Sequence, residues 1–166
     1  MTASMGFKNY NQVFSYFESF TNLETGKITY TERNYRIDRM SYLLTLFGNP
    51  HKSFKSIHIA GTNGKGSCAA LCESLAITHG LATGLNTSPH LIDYRERFRI
   101  NGDHVVPDNL METYKKWESV FEENQASFFE ITTAMAFYLF HQNELDCSIF
   151  EVGLGGRLDG TKPFRS

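Results

Sequence analysis

Residues 58–70 read HIAGTNGKGSCAA, with Gly61, Gly64, Lys65 and Gly66 inside six positions. They follow a short stretch, Ser56 to Ala60, in which apolar residues alternate, and they open the run GKGSCAALCESLAITHG. Alternation predicts a strand, and the run from Gly64 predicts a helix that closes at Gly80. A glycine-rich turn between strand and helix is a demanding constraint, because the strand needs a sheet and the helix must cover one face of it. That arrangement belongs to α/β folds, in which ligands gather at the carboxyl ends of the strands.

Bare backbone at Gly61, Gly64 and Gly66 lets several N–H groups converge on one concavity, where a side chain would otherwise block an anion. Lys65 adds a full charge. At about 4 Å from a phosphate oxygen its attraction is about 4 kcal/mol at an effective dielectric of about 20, against about 0.3–1 kcal/mol from the helix N-terminus. The segment Gly61, Thr62, Asn63, Gly64, Lys65, Gly66 and Ser67 is therefore the expected phosphate loop for ATP. It departs from G-x-x-x-x-G-K-[ST]: Gly61 lies three residues before Gly64, and the hydroxyl, Ser67, comes two after Lys65. The plain alternative is a glycine-rich turn with a surface lysine.

Such a loop works with a magnesium ion, which calls for an oxygen ligand at the tip of a neighbouring strand. The run CSIFEVG offers Glu151, and the turn NTSPH offers Ser88. Two readings of each stand at this point: Mg2+ ligands, or a solvated strand-end carboxylate and a turn-forming serine before Pro89.

The remaining segments complete an α/β pattern. YNQVFSYFESF spaces Val13, Phe14, Phe17 and Phe20 as one helix face, and RIDRMSYLLTLFGNP does the same with Ile37, Met40, Leu43, Leu44 and Phe47 before Gly48 and Pro50 end it. LATGLNTSPH predicts a second strand ending near Thr87, and DCSIFEVGLGG a third. NLMETYKKWESVFEEN and FEITTAMAFYLFHQN predict two helices, the latter apolar almost all round and so deeply buried. No repeat or linker divides residues 1–166, which read as one ATP-binding domain with a mainly parallel sheet and flanking helices.

Composition narrows the partners. A net charge of -2, with 20% charged residues, lacks the basic excess of a nucleic-acid binder. No apolar run approaches the ~20 residues that cross a bilayer, and MTASMGFKNYNQ has no signal-peptide core, so a cytoplasmic location is expected. Cys68, Cys72 and Cys147 form no CxxC spacing. Cys68 and Cys72 stand four apart on the expected helix, as small core residues or as a shared ligand pair.

Taken in order, LFGNP, HIAGTNGKGS, NTSPHL, YRERFRING, SFFEITTAMAF and EVGLGGRLD resemble the amino-terminal blocks of the folylpolyglutamate synthase and dihydrofolate synthase family, a branch of the Mur ligase superfamily. The resemblance implies an ATP- and Mg2+-dependent ligase that joins L-glutamate to the carboxylate of a folate or dihydropteroate through an acyl phosphate. It makes Lys65 and Glu151 catalytic, with Ser88 and Glu151 on the metal. It places Ser127, Phe128, Phe129 and Glu130 at the pterin, the two rings flanking it and Glu130 accepting its N–H edge. The residues alone favour core packing for the two phenylalanines. Leu158, Asp159 and Gly160 fall at the other pteroate contact, while Arg97 either positions substrate or pairs with Glu96.

Where the family reads RLDATN, this chain reads RLDGTKPFRS, with Gly160 for alanine and Lys162 for asparagine. Relatives also continue into a further metal-binding histidine, a carbamylated lysine and a carboxyl-terminal domain that supplies adenine and glutamate contacts. The resemblance thus implies an incomplete central domain, inactive alone, with its third strand near a sheet edge and prone to self-association. A non-catalytic nucleotide-binding remnant and a different P-loop kinase are the alternative readings.

Overall fold

The computed structural model describes Phe14, Ser15 and residues 37–153. In chain order the elements are α1 (Ile37–Leu46), β1 (Lys55–Ile59), α2 (Lys65–Thr78), β2 (Thr83–Asn86), β3 (Arg99–Ile100), β4 (Asp103–His104), α3 (Pro107–Glu123), α4 (Phe128–Gln142) and β5 (Cys147–Glu151). Short 3-10 turns cover Pro50–Lys52 and Tyr94–Arg97. Apart from Phe14 and Ser15, the helix expected around Val13, Phe17 and Phe20 lies outside the described residues.

The strands form one sheet in the order β1-β5-β2-β3-β4. β1, β5 and β2 run parallel, joined by helical crossovers, as parallel pairing requires. β3 and β4 add an antiparallel hairpin beside β2, so the sheet is mixed. The hairpin turns at Asn101 and Gly102, whose φ values of 53° and 86° suit an Asn-Gly turn that follows the strand twist.

One expectation is overturned. β5, the third of the strands expected from the sequence, does not lie near the edge: it pairs with β1 on one side and β2 on the other, for example Ile149 with both Ile57 and Leu85. The crossover through α2 carries the chain from β1 past one vacant slot to β2, and β5 fills that slot. Among the described residues the sheet edges are the short β4 and β1, where Ile57 is 42% exposed.

Helix α4 supplies most of the core under one face of the sheet. Phe137 stacks on Phe150 with ring centroids 4.5 Å apart, and Phe140 meets Phe150 edge-on at 5.5 Å. Sheet and helix approach so closely that a Cβ on Gly84 would stand 2.7 Å from Leu145 Cδ1 and 2.9 Å from Phe140. Met40, Leu43 and Leu44 of α1 join this core, as their spacing predicts. On the other face, Ala69 of α2 packs against Leu85 and Ile149. No described helix is long and apolar enough to cross a membrane.

Candidate functional site

Side chains alternate along β5, so Ile149 and Glu151 share the face that α2 covers, while Ser148 and Phe150 face α4. Glu151 therefore emerges at the carboxyl tip of the strand, beside α2. Its register partner is Ile59, the last residue of β1, and Val152 N–H donates to Ile59 O at 3.0 Å. The glycine-rich loop leaves β1 at that point.

Gly64 holds φ 74°, a left-handed conformation that glycine adopts without steric cost, and caps α2 with no side-chain acceptor. No side chain thus covers the first-turn amides at the cap, the arrangement that makes a helix N-terminus receptive to phosphate. Gly66 lies against the strand tip: a Cβ there would be 3.5 Å and 3.7 Å from the two oxygens of Glu151. Ser88 closes the third side, its backbone N–H donating to Glu151 Oε2 at 3.0 Å.

Gly66, Ser67, Ser88 and Glu151 wall one cleft of about 380 Å³, together with Arg99 and His104. Lys65 is half-buried, with its Cγ 3.8 Å from the position of a Cβ on Gly61. Its aliphatic stem lies along the loop, whose residues Gly61, Thr62, Asn63 and Gly64 are exposed.

These residues suit a magnesium nucleotide. Glu151 is only 6% exposed, and Ser67 and Ser88, which carry hydroxyls, line the same cleft. Carboxylate and hydroxyl oxygens are ligands for a hard cation. Among the described residues no group of three or more His, Cys, Asp or Glu could hold a metal by itself, so phosphate oxygens would complete the shell.

The loop that carries Ser88 is held by Glu96, named from the sequence only as a candidate partner of Arg97. Glu96 accepts N–H bonds from Leu91 at 2.8 Å, Ile92 at 2.8 Å and Asp93 at 2.7 Å. The Leu91 and Asp93 amides foremost, with Ile92 adding to them, hold its carboxyl below the ordinary range. The spacing Asp93-x-x-Glu96 is a capping box, formed here in full, and was the available signal.

Arg97 is 2% exposed and donates from Nε to His90 Nδ1 at 2.9 Å. Its guanidinium lies 5.1 Å from the Phe128 ring centroid and 5.8 Å from that of Tyr94.

Ser127 to Glu130 lies apart from the cleft walls. Ser127 caps α4, and Glu130 Oε2 accepts from both Ser127 N–H and Ser127 Oγ at 2.8 Å. Glu130 Oε1 accepts from Arg39 Nε at 2.9 Å, so both oxygens are engaged within the protein. Phe128, at 1% exposed, packs in the core beneath the sheet, and Phe129 is 8% exposed. Leu158, Asp159 and Gly160 lie outside the described residues.

No protein-family model matches the chain. It is 40% identical over 138 residues to the dihydrofolate synthase/folylpolyglutamate synthase of Mycobacterium tuberculosis, a match covering 75% of this chain and 28% of that protein. The crystal structure of Thermotoga maritima folylpolyglutamate synthase superposes with a TM-score of 0.81 at 37% identity, covering 92% of this chain and 35% of that one. A bifunctional folylpolyglutamate synthase/dihydrofolate synthase with Mn, AMPPNP and L-glutamate bound gives 0.81 at 30% identity, covering 97% and 37%. The chain thus spans about a third of the length of these relatives.

Proposed function

Because the chain belongs to the folylpolyglutamate synthase and dihydrofolate synthase family, matching its amino-terminal part, we propose that residues 61–151 hold the triphosphate and divalent ion of a folate-type ligase. The reaction joins L-glutamate to the carboxylate of a folate or dihydropteroate. A carboxylate is a poor electrophile, and transfer of the terminal phosphoryl group to it creates a phosphate leaving group that the glutamate amine displaces.

ATP and a divalent cation supply the phosphoryl group and the positive charge that steadies it. The chain's own part is to bind and orient. The amides of Gly61 to Ser67 cradle phosphate, and Lys65 brings its ammonium to the charge shifting during transfer. Glu151, with the Ser67 and Ser88 hydroxyls, offers oxygens to the cation. Ser127, Phe128, Phe129, Glu130, Leu158, Asp159 and Gly160 enter this proposal as pterin contacts through the resemblance. Since both Glu130 oxygens are engaged, that segment would contribute its shape rather than a free acceptor.

The observation that carries the reading is the meeting of three elements at one carboxylate: Gly66 of α2 and Ser88 after β2, both against Glu151 of β5. Calorimetric titration of AMPPNP with and without Mg2+ tests it. Binding should strengthen with Mg2+, Glu151→Gln should abolish that gain, and Lys65→Met should weaken binding by up to about a thousandfold. Affinity indifferent to Mg2+ and to both substitutions would refute the reading. We further expect the 166 residues to bind nucleotide without turnover; glutamate addition to a folate by the purified chain would overturn that part.

A further inference from the structure

Helix α2 carries two charged side chains in its fourteen residues, Lys65 at the phosphate loop and Glu73 further along. Glu73 comes four residues after Ala69 and so falls on the same helix face, and these two are the buried residues of α2. Ala69 packs on Leu85 and Ile149 of the sheet. A carboxylate at 0% exposure therefore continues a stripe where an apolar side chain would be expected. Burial pushes its carboxyl up, and Arg99, then the Gly102 amide and His104, draw it back toward the charged form. One Arg99 guanidinium nitrogen lies 2.6 Å from Glu73 Oε2. Stability does not account for such a pair, because apolar residues of similar volume at both positions are commonly as stable or more so.

The pair borders the nucleotide cleft. Strand pairing sets Ile149 beside Leu85 and Leu85 beside Arg99, all on the α2 side, since directly paired residues share a sheet face. Glu151 lies two residues beyond Ile149 on that face. At about 4.8 Å per strand and about 3.3 Å per residue, the Arg99 backbone stands about 12 Å from that of Glu151. Both residues line the same cleft, and the Arg99 side chain is 31% exposed. A bare guanidinium there would attract nucleotide phosphates and repel a divalent ion at Glu151. Two charges against one across about 12 Å, at an effective dielectric of about 40 for an open cleft, alter an affinity about tenfold. The Glu73 carboxylate, in contact with the guanidinium, offsets that field.

We propose that Glu73 is a positioning residue for the nucleotide site and acts through Arg99: it holds the guanidinium against α2 and balances its charge, so that the phosphates are left to Lys65 and the divalent ion. The inference rests on the ligase reading above. It makes a buried residue outside the cleft wall the determinant of how strongly nucleotide binding depends on Mg2+.

The test is calorimetric titration of the purified 166-residue chain with AMPPNP, with and without Mg2+, read as the ratio of the two affinities. Glu73→Gln leaves the guanidinium charge unbalanced, so metal-free AMPPNP should bind more tightly and the gain from Mg2+ should shrink about tenfold. Adding Arg99→Gln removes that charge and should restore the wild-type ratio. Loss of packing alone would weaken binding with and without Mg2+ alike and leave the ratio as it is in wild type. An unaltered ratio in Glu73→Gln, or a double variant that keeps the altered ratio, would overturn the proposal. Should Glu73→Gln not fold, the double variant decides: a wild-type ratio supports the proposal, and an altered ratio or an unfolded chain overturns it. Absence of any Mg2+ gain in the wild-type chain would instead remove the ligase reading, and this role of Glu73 with it.

Discussion

Replacing Glu130 with alanine separates a structural carboxylate from a ligand-binding one. In the fold this side chain closes the capping box of α4 through two 2.8 Å bonds from Ser127 and anchors Arg39 at 2.9 Å. Losing the cap costs about 1 kcal/mol. The charge-assisted bond to Arg39, whose side chain is 22% exposed, is taken near the low end of its range, about 1.5 kcal/mol. The sum, about 2.5 kcal/mol, corresponds to a fall in melting temperature of about 5–10 °C for a chain of this size. Urea unfolding followed by circular dichroism should show a lower midpoint with an unchanged slope. Glu130→Gln keeps an acceptor for Ser127 but loses the charge facing Arg39, and should fall between the two. A loss below about 0.5 kcal/mol for the alanine variant would refute the assignment. If stability held while pteroylglutamic acid binding vanished, Glu130 would return to the acceptor site.

Two further outcomes follow from the geometry. Gly84→Ala forces a methyl into contacts of 2.7 Å and 2.9 Å and should destabilise by about 1–3 kcal/mol in the same assay, so a neutral result would place α4 farther from β2 than described. Glu96 is held charged by backbone donors, so its folded pKa lies below the unfolded one; its stabilisation is full at neutral pH and is lost as pH falls below the ordinary value of 4.5 and through the folded pKa. Thermal melts of wild type and Glu96→Gln should therefore differ at pH 7 and converge in acid, and a gap that persisted unchanged at low pH would contradict the loop clamp.

Local periodicity carried much of the architecture. The alternation in CSIFE puts Glu151 on the α2 side, the glycines of residues 61–66 mark the loop, and the apolar spacing of α1 and α4 identifies their buried sides. Strand order was less legible, because a crossover of this length can place the next parallel strand beside the last or one slot away, and only β5 resolves the choice. Three local signals stand in the sequence: Asn101-Gly102 as a hairpin turn, and Asp93-x-x-Glu96 and Ser127-x-x-Glu130 as capping boxes. Arg99 and His104 could not be found from spacing, since they reach the cleft through pairing with β2, far from the loop in sequence.

The interior position of β5 also dictates when the proposed nucleotide site can form. Ile59 and Glu151 are register partners separated by 92 positions, from 151 minus 59. β1 and β2 are joined only through β5, which pairs with each of them. On a ribosome, therefore, the glycine loop emerges long before its acidic counterpart, and the nascent chain presents two unjoined sheet halves until residue 151 has left the exit tunnel.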